Sequence, residues 1–281
     1  MLIFTKIAEL KGFLKQIKSS GHTVGFVPTM GALHNGHISL ISISKKACNI
    51  TVCSIFVNPT QFNDKADLKR YPRMPEKDAA FLDNAGCDVL FLPSVEEVYP
   101  NGPITEIYDF GYLNNVLEGE YRPGHFNGVA QVVKRLFEIV EPDKAFFGSK
   151  DYQQVMIIKA LVKQMHSPIE IVNCPILREA DGVAMSSRNA LLNEEERNIA
   201  ALIPKFMLQA KELALIKGID AAKEFVMNEV SKIALMKLEY FEICDSELKK
   251  LTDINTTKNA VALIAVFVGK IRLIDNLIIK P

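Results

Sequence analysis

The chain has 281 residues, 48% of them hydrophobic, which is enough for one large or two ordinary domains with a substantial core. Its 33 basic and 33 acidic residues balance, so no net field favours nucleic acid or an anionic membrane. The longest apolar run, residues 260–268, is far short of the ~20 residues a membrane span needs. The start runs quickly into Lys6, Glu9 and Lys11 rather than through the apolar region of a signal peptide. Five cysteines (Cys48, Cys53, Cys87, Cys174, Cys244) without a C-x-x-C pair read as reduced, mostly buried thiols of a cytoplasmic protein.

In chain order, residues 6–19 carry Ile7, Leu10, Leu14 and Ile17 on one helical stripe. Residues 24–27 are a short apolar strand, and the stretch from Pro28 to Gly36 is a tight turn, since proline and glycine punctuate regular structure. From His37 the apolar spacing at Ile38, Ile41 and Ala47 predicts a helix. A strand, a glycine-bearing turn and a helix start present free backbone N–H groups to an anion, with His34 and His37 beside them.

Residues 50–57 read as a strand buried on both faces of a parallel sheet. It ends in the polar turn 58–63, at the sheet edge where open α/β folds bind ligands. The charged segment 64–78, with Tyr71-Pro72-Arg73, reads as a surface loop, with a lid as the alternative. A strand at 88–92 stopped by Pro93, a loop-rich stretch at 100–124 and a helix at about 127–140 follow. Residues 144–147 are a strand, and Gly148-Ser149-Lys150-Asp151 turns into a helix reaching about residue 165. Lys150 and Gln154, four apart, then share a face of that helix start. A last strand of this half covers 169–172.

Strands alternating with helices predict a doubly wound parallel sheet, with its polar turns 28–37, 58–63 and 148–151 converging on one edge. Composition changes near residue 176. Residues 177–189 form a loop whose Ser186, Ser187 and Arg188 suit phosphate oxygens, the arginine bidentately. The plainer reading of the two serines is a helix cap. Helices at 194–216 and 220–234 and strands at 239–244, 259–268 and 270–279 predict a separate α+β unit. The expected architecture is thus α/β, a Rossmann-like parallel-sheet domain over residues 1–176 with a smaller α+β C-terminal domain over 177–281, whose loop is placed to act as a lid over a ligand.

Several readings of the first turn compete. Gly31-x4-Gly36 superficially matches a P-loop, but His37 and Ile38 stand where Lys and Ser/Thr belong. His34 and His37 have no third zinc ligand at metal spacing and no H-E-x-x-H pattern. A plain turn with two solvent-facing histidines remains open. The His-x-Gly-His pattern at a helix start resembles the nucleotidylyltransferase superfamily.

Six blocks in order extend that likeness over nearly the whole chain. They are Pro28-Thr29-Met30-Gly31-Ala32-Leu33-His34-Asn35-Gly36-His37, Phe56-Val57-Asn58-Pro59-Thr60-Gln61-Phe62, Tyr71-Pro72-Arg73, Arg122-Pro123-Gly124-His125-Phe126, residues 147–154, and residues 178–189. Together they resemble the pantothenate synthetase family, the pantoate–β-alanine ligases. Two positions depart from its pattern. Ser149 stands where the family usually has Glu, and Thr60 replaces a common Met.

The resemblance implies a two-step reaction using ATP with Mg²⁺. Pantoate and ATP give pantoyl adenylate and pyrophosphate, and β-alanine then displaces AMP. It implies His37, His34 and Lys150 as catalytic, with His37 as proton donor. An ATP site would be lined by Met30 to His37 (Met30, Gly31, Ala32, Leu33, His34, Asn35, Gly36, His37), by Gly148, Ser149, Lys150 and Asp151, and by Leu177, Met185, Ser186, Ser187 and Arg188. Gln61, Gln154, Pro28, Met30 and Asn58 would hold pantoate and β-alanine, and no metal site of the protein's own is expected. The family likeness also implies a cytoplasmic homodimer with small-molecule substrates, and neither nucleic acid nor membrane as partner. Arg122 and His125 match a family motif, with a structural role equally open. Competing activities are a superfamily transferase acting on a phosphorylated acceptor and a non-catalytic nucleotide sensor.

Overall fold

The computed structural model describes residues 1–62, 65–102 and 105–280, with backbone alone at residues 65–67. Asn63 and Asp64, which end the predicted polar turn and begin the charged segment, lie outside the described residues, as do Pro103 and Ile104 of the predicted loop. The chain divides into two compact units. One comprises Met1–Ser149 with Gln153–Pro175, the other Lys150–Tyr152 with Ile176–Pro281.

The first unit is a six-stranded sheet of β1 (Leu2–Phe4), β2 (Val24–Thr29), β3 (Ile50–Ile55), β4 (Val89–Phe91), β5 (Lys144–Gly148) and β6 (Glu170–Cys174). The spatial order is β1-β4-β3-β2-β5-β6, with every described pairing parallel. The order reverses between β2 and β5, the topological switch point whose carboxyl edge is the usual ligand site of such sheets. Among the described residues, these strands are accompanied by the helices α1 (Ile7–Ser19), α2 (Asn35–Ala47), α3 (Lys65–Arg70), α4 (Pro75–Asn84), the one-turn α5 (Val95–Val98) and α6 (Glu118–Tyr121), α7 (His125–Val140) and α8 (Tyr152–Gln164). Val24, Phe26, Val27, Val52 and Cys53 are fully buried, as expected for central strands covered on both faces. Phe137 of α7 meets Phe26 edge-on at 6.3 Å between ring centroids.

Three differences from the sequence reading have physical causes. β2 runs through Pro28 to Thr29, because its pairing with β5 covers only Gly25 and Phe26, so the proline's missing N–H interrupts no ladder on that side. β1 is an addition. Its three residues are too few for periodicity, and pairing with β4 alone makes it a strand. The segment expected as surface loop, 64–78, is instead largely α3 and the start of α4, with Pro75 at the first helical position and Asp78 buried.

The second unit contains α9 (Glu194–Ala200), α10 (Leu202–Lys217), α11 (Ile219–Ser231) and an antiparallel sheet of β7 (Met236–Asp245), β8 (Ala260–Val268) and β9 (Ile271–Lys280), in that spatial order. The single helix expected over 194–216 breaks at Ala201. Pro204 lacks an N–H and is tolerated only near a helix start. α10 packs on β9 and α11 on β7, around a core that includes Phe206, Val226 and Ile264. All five cysteines are free thiols, and burial pushes Cys87 up to about 11 and Cys244 up to about 12, which keeps them protonated and unreactive.

Candidate active site

β2 delivers the chain into the turn 30–34, and its conformation is set by a residue that motif reasoning does not single out. Gly31 has φ +80° and Ala32 φ +50°, both in the left-handed region. For alanine that region costs roughly 1–2 kcal/mol. The buried Asp78 offsets it: its Oδ2 accepts the Ala32 N–H and its Oδ1 the Leu33 N–H, each at 2.8 Å. Bonds of this charged kind contribute roughly 1.5–3 kcal/mol each. A Cβ on Gly31 would stand 3.1 Å from that same Oδ2, so glycine is needed for the close approach as well as for φ. The sequence signal is Asp78 itself, a charge shortly after Pro75, but nothing local tells it from its solvated neighbours. Asp78→Asn leaves one N–H facing an amide NH2. It should lower the unfolding midpoint and destabilise by about 2 kcal/mol, which a thermal melt checks.

His34 and His37 then start α2 together. His34 is the N-cap, with Nδ1 accepting the Gly36 N–H at 3.1 Å, and His37 Nδ1 accepts the His34 N–H at 3.3 Å. This is a capping box built from two imidazoles, with ring centroids 4.0 Å apart. The helix therefore begins at Asn35, earlier than the apolar spacing indicates. A backbone N–H can only donate, so both Nδ1 atoms are unprotonated and each neutral ring carries its proton on Nε2. The plain solvent-facing turn is excluded by this reciprocal bonding, since both side chains are half-buried.

The turn after β3 is a one-turn 3-10 helix, Pro59–Gln61, capped by Asn58. Asn58 is fully buried. Its Nδ2 donates to Gly128 O at 3.0 Å and to Gln61 Oε1 at 3.3 Å, and its Oδ1 accepts from Tyr99 OH at 3.0 Å and Thr60 Oγ1 at 3.1 Å. Burial pushes the Tyr99 phenol up to about 12, so it remains a donor. With Oε1 engaged, Gln61 turns its Nε2 toward Met30, 3.0 Å from Sδ, and His125 Nδ1 stands 2.9 Å from Gln61 O. Gly128 lets α7 lie against this turn, because a Cβ there would come within 2.6 Å of Thr60 O. Met30, Asn58 and Gln61 are thus brought together, with the Thr60 hydroxyl donating to Asn58. Pro28 is half-buried in β2. Tyr99→Phe removes one donor from Asn58, a loss of about 1 kcal/mol. The loss should read as a lowered unfolding midpoint in a thermal melt.

After β5, Ser149 Oγ lies 2.8 Å from Asn173 Oδ1 and 2.7 Å from Cys174 O, tying together the ends of β5 and β6. In α8, Gln153 is a clamp: it donates to Leu113 O and Val116 O and accepts from Glu118 N, whereas Gln154 is half-buried on another face. Lys150 differs from expectation. Ser149–Asp151 is a 3-10 turn and α8 begins only at Tyr152, so the helical spacing expected for Lys150 does not apply.

In the second unit, Lys150 Nζ pairs with Asp151 at 3.4 Å. Arg178 bridges Ala184 in antiparallel fashion, and Met185 N donates to Leu177 O at 3.0 Å, closing the base of the loop. Ser186 caps a 3-10 turn over Ser187–Leu191 by accepting the Arg188 N–H at 3.3 Å, so the cap reading applies to this serine. Arg188 and Ser187 are half-buried, and Leu177 is exposed.

A six-stranded parallel sheet with a topological switch point, followed after β2 by a helix start capped by two imidazoles, defines a Rossmann-like α/β protein. Residues 2–278 match the family described as pantoate-beta-alanine ligase. The pantothenate synthetase of Porphyromonas gingivalis is 50% identical over 278 residues, 99% of each chain. The crystal structure of pantothenate synthetase from Thermus thermophilus superposes with a TM-score of 0.93 at 40% identity, covering 100% of both chains. That of the Francisella tularensis pantoate-beta-alanine ligase, complexed with beta-gamma ATP and beta-alanine, gives 0.84 at 36% identity, covering 99% of this chain and 98% of that one. The chain belongs to the pantoate–β-alanine ligase family, and it is an enzyme of that reaction.

Proposed function

We propose that the chain joins pantoate to β-alanine in two steps. The pantoate carboxylate attacks the α-phosphorus of ATP and pyrophosphate leaves. The β-alanine amine then attacks the acyl carbon of pantoyl adenylate, and AMP leaves as the amide forms. A carboxylate is ionised at neutral pH, so the first step needs no base for its nucleophile. It needs in-line placement and stabilisation of charge on the phosphates.

The observation that carries the reading is the histidine capping box, which puts the ring proton of both His34 and His37 on Nε2. Each ring is then a hydrogen-bond donor to phosphate without needing a positive charge. Full protonation would put a second proton on Nδ1 and break the cap. The family resemblance suggests His37 as proton donor, a part that calls for a charged ring, and the capped geometry favours a neutral Nε2–H donor instead. Lys150 supplies a cation to the phosphates, and Ser186, Ser187 and Arg188 supply hydroxyls and a guanidinium. Backbone from Met30 to His37 and from Gly148 to Asp151, with Leu177 and Met185, completes the proposed nucleotide contacts. Gln61 and Gln154 orient pantoate by amide hydrogen bonds, with Pro28 and Met30 as its apolar wall and Asn58 beneath Gln61.

Among the described residues no group of three or more His, Cys, Asp or Glu side chains is arranged to hold a metal. Mg²⁺ is therefore read as entering on the triphosphate, whose oxygens supply most of its ligands and whose charge it offsets. A cytoplasmic homodimer belongs to the same reading, and sedimentation equilibrium measures the dimer. No helix among the described residues is long and apolar enough to cross a membrane.

The test is pyrophosphate release from ATP with pantoate present or absent, followed by addition of β-alanine. Release that requires pantoate, with continued AMP production that requires β-alanine, is the expected result. Release indifferent to pantoate would sink the proposed order of steps.

A further inference from the structure

β9 is apolar along most of its length, yet its middle holds two adjacent polar residues, Asp275 and Asn276, only 5% and 4% exposed. Burying a carboxylate and an amide is unfavourable unless both are fully bonded. Asp275 is held by Arg178, whose Nη1 and Nη2 donate to its two carboxylate oxygens at 2.7 and 2.9 Å. The same guanidinium donates to Gly182 O at 3.0 Å and to Asn276 O at 3.2 Å. Arg178 thus ties down the 178–184 base from which Ser186, Ser187 and Arg188 follow directly.

Asn276 faces another way, because neighbouring residues of a strand project to opposite sides of the sheet. Its Nδ2 donates to the main-chain oxygen of Lys150 at 2.9 Å. Tyr152 OH adds a bond to Ser246 O at 3.2 Å, so the short segment Lys150–Tyr152 is held by the second unit on both sides of Asp151. A buried ion pair is weak evidence of added stability compared with a well-packed apolar pair. What this pair does is fix two backbone segments at defined places.

We propose that Asp275 and Asn276 are positioning residues of the ligation: Asn276 sets the backbone of Lys150, and Asp275, through Arg178, sets the root of the Ser186-Ser187-Arg188 loop. This rests on the reading of Lys150 as the cation of the adenylation step. One strand thereby holds in register two segments that lie on either side of β6 in the sequence.

The acceptor of the Asn276 bond is a main-chain oxygen, so Lys150→Ala leaves that bond in place while removing the ammonium. A double-mutant cycle exploits this. Pantoate-dependent pyrophosphate release is measured for the unaltered enzyme, Asn276→Ala, Lys150→Ala and the double variant, each with its thermal midpoint. Misplacement of a catalytic group by about an ångström costs up to ~100-fold, so Asn276→Ala should lower kcat at least tenfold while the pantoate KM stays put. The double variant should be no slower than Lys150→Ala within about twofold, the usual limit of additivity. Losses that multiply in the double variant would overturn the proposal, because a merely structural asparagine acts independently of the lysine. So would an unchanged kcat for Asn276→Ala beside a crippled Lys150→Ala. Near-normal turnover of Lys150→Ala itself would instead remove the reading of the lysine, and the inference with it. If Asn276→Ala does not fold, Asn276→Asp keeps the volume, loses the donor and enters the same cycle. Asp275→Asn should raise the KM for ATP and not that for pantoate, and an unchanged ATP KM would remove the Asp275 half.

Discussion

His37→Ala should reduce pantoate-dependent pyrophosphate release roughly a hundred- to a thousandfold, the usual cost of removing one preorganised donor from a developing charge. The variant also loses an acceptor for the His34 N–H, so it should be less stable by about 1 kcal/mol, the worth of a helix cap. The two effects are separable. Glutamine is a favoured residue at this third position of a capping box, because its side-chain oxygen accepts the cap N–H. His37→Gln should therefore recover the thermal midpoint but not the rate, since its amide does not carry a donor to the place of the imidazole Nε2. Single-turnover formation of the adenylate, followed by rapid quench, reads the rate without interference from the β-alanine step. A near-normal rate in either variant would show that His37 serves α2 rather than the phosphates.

The contrast between the two variants shows where sequence and structure part. The motif from Pro28 to His37 is legible as strand, turn and helix start, because proline, glycine and apolar spacing mark those features locally. The helix begins earlier than the spacing indicates because its cap is a pair of histidines, which are not among the usual capping residues. The alternation of strands and helices is legible for the same local reasons, and so is the change of composition near residue 176. What is not legible depends on partners far along the chain. Asp78 reads as one more charge at the end of a surface loop, and only its two bonds to Ala32 and Leu33 reveal it as the support of the turn. Tyr99 is likewise silent until its hydroxyl meets Asn58, 41 residues away. The polar pair on β9 interrupts an apolar strand, a signal that is present in the sequence but has no meaning without Arg178 and Lys150 as its partners.

Lys150→Ala should lower the first half-reaction by two orders of magnitude or more, comparable with the loss of one preorganised charge-stabilising group. The lysine is suited to the task by its surroundings as well as its charge. Its side chain is only 19% exposed and is paired with Asp151 at 3.4 Å, a long contact that a stronger anion can outcompete. A polyphosphate oxygen offers a larger negative charge than a half-exposed carboxylate, so the ammonium loses little by changing partners. Asp151→Asn should consequently have a small effect on the rate, well below that of Lys150→Ala. Lys150→Arg retains the charge but spreads it over a planar fork that cannot be treated as the same point cation. It should recover part of the rate and leave the pantoate KM unchanged. Measuring adenylate formation and its aminolysis separately decides the matter. If Lys150→Ala slowed only the aminolysis, the ammonium would act on the β-alanine step. The loss of charge would then have to be explained by the departure of AMP rather than that of pyrophosphate.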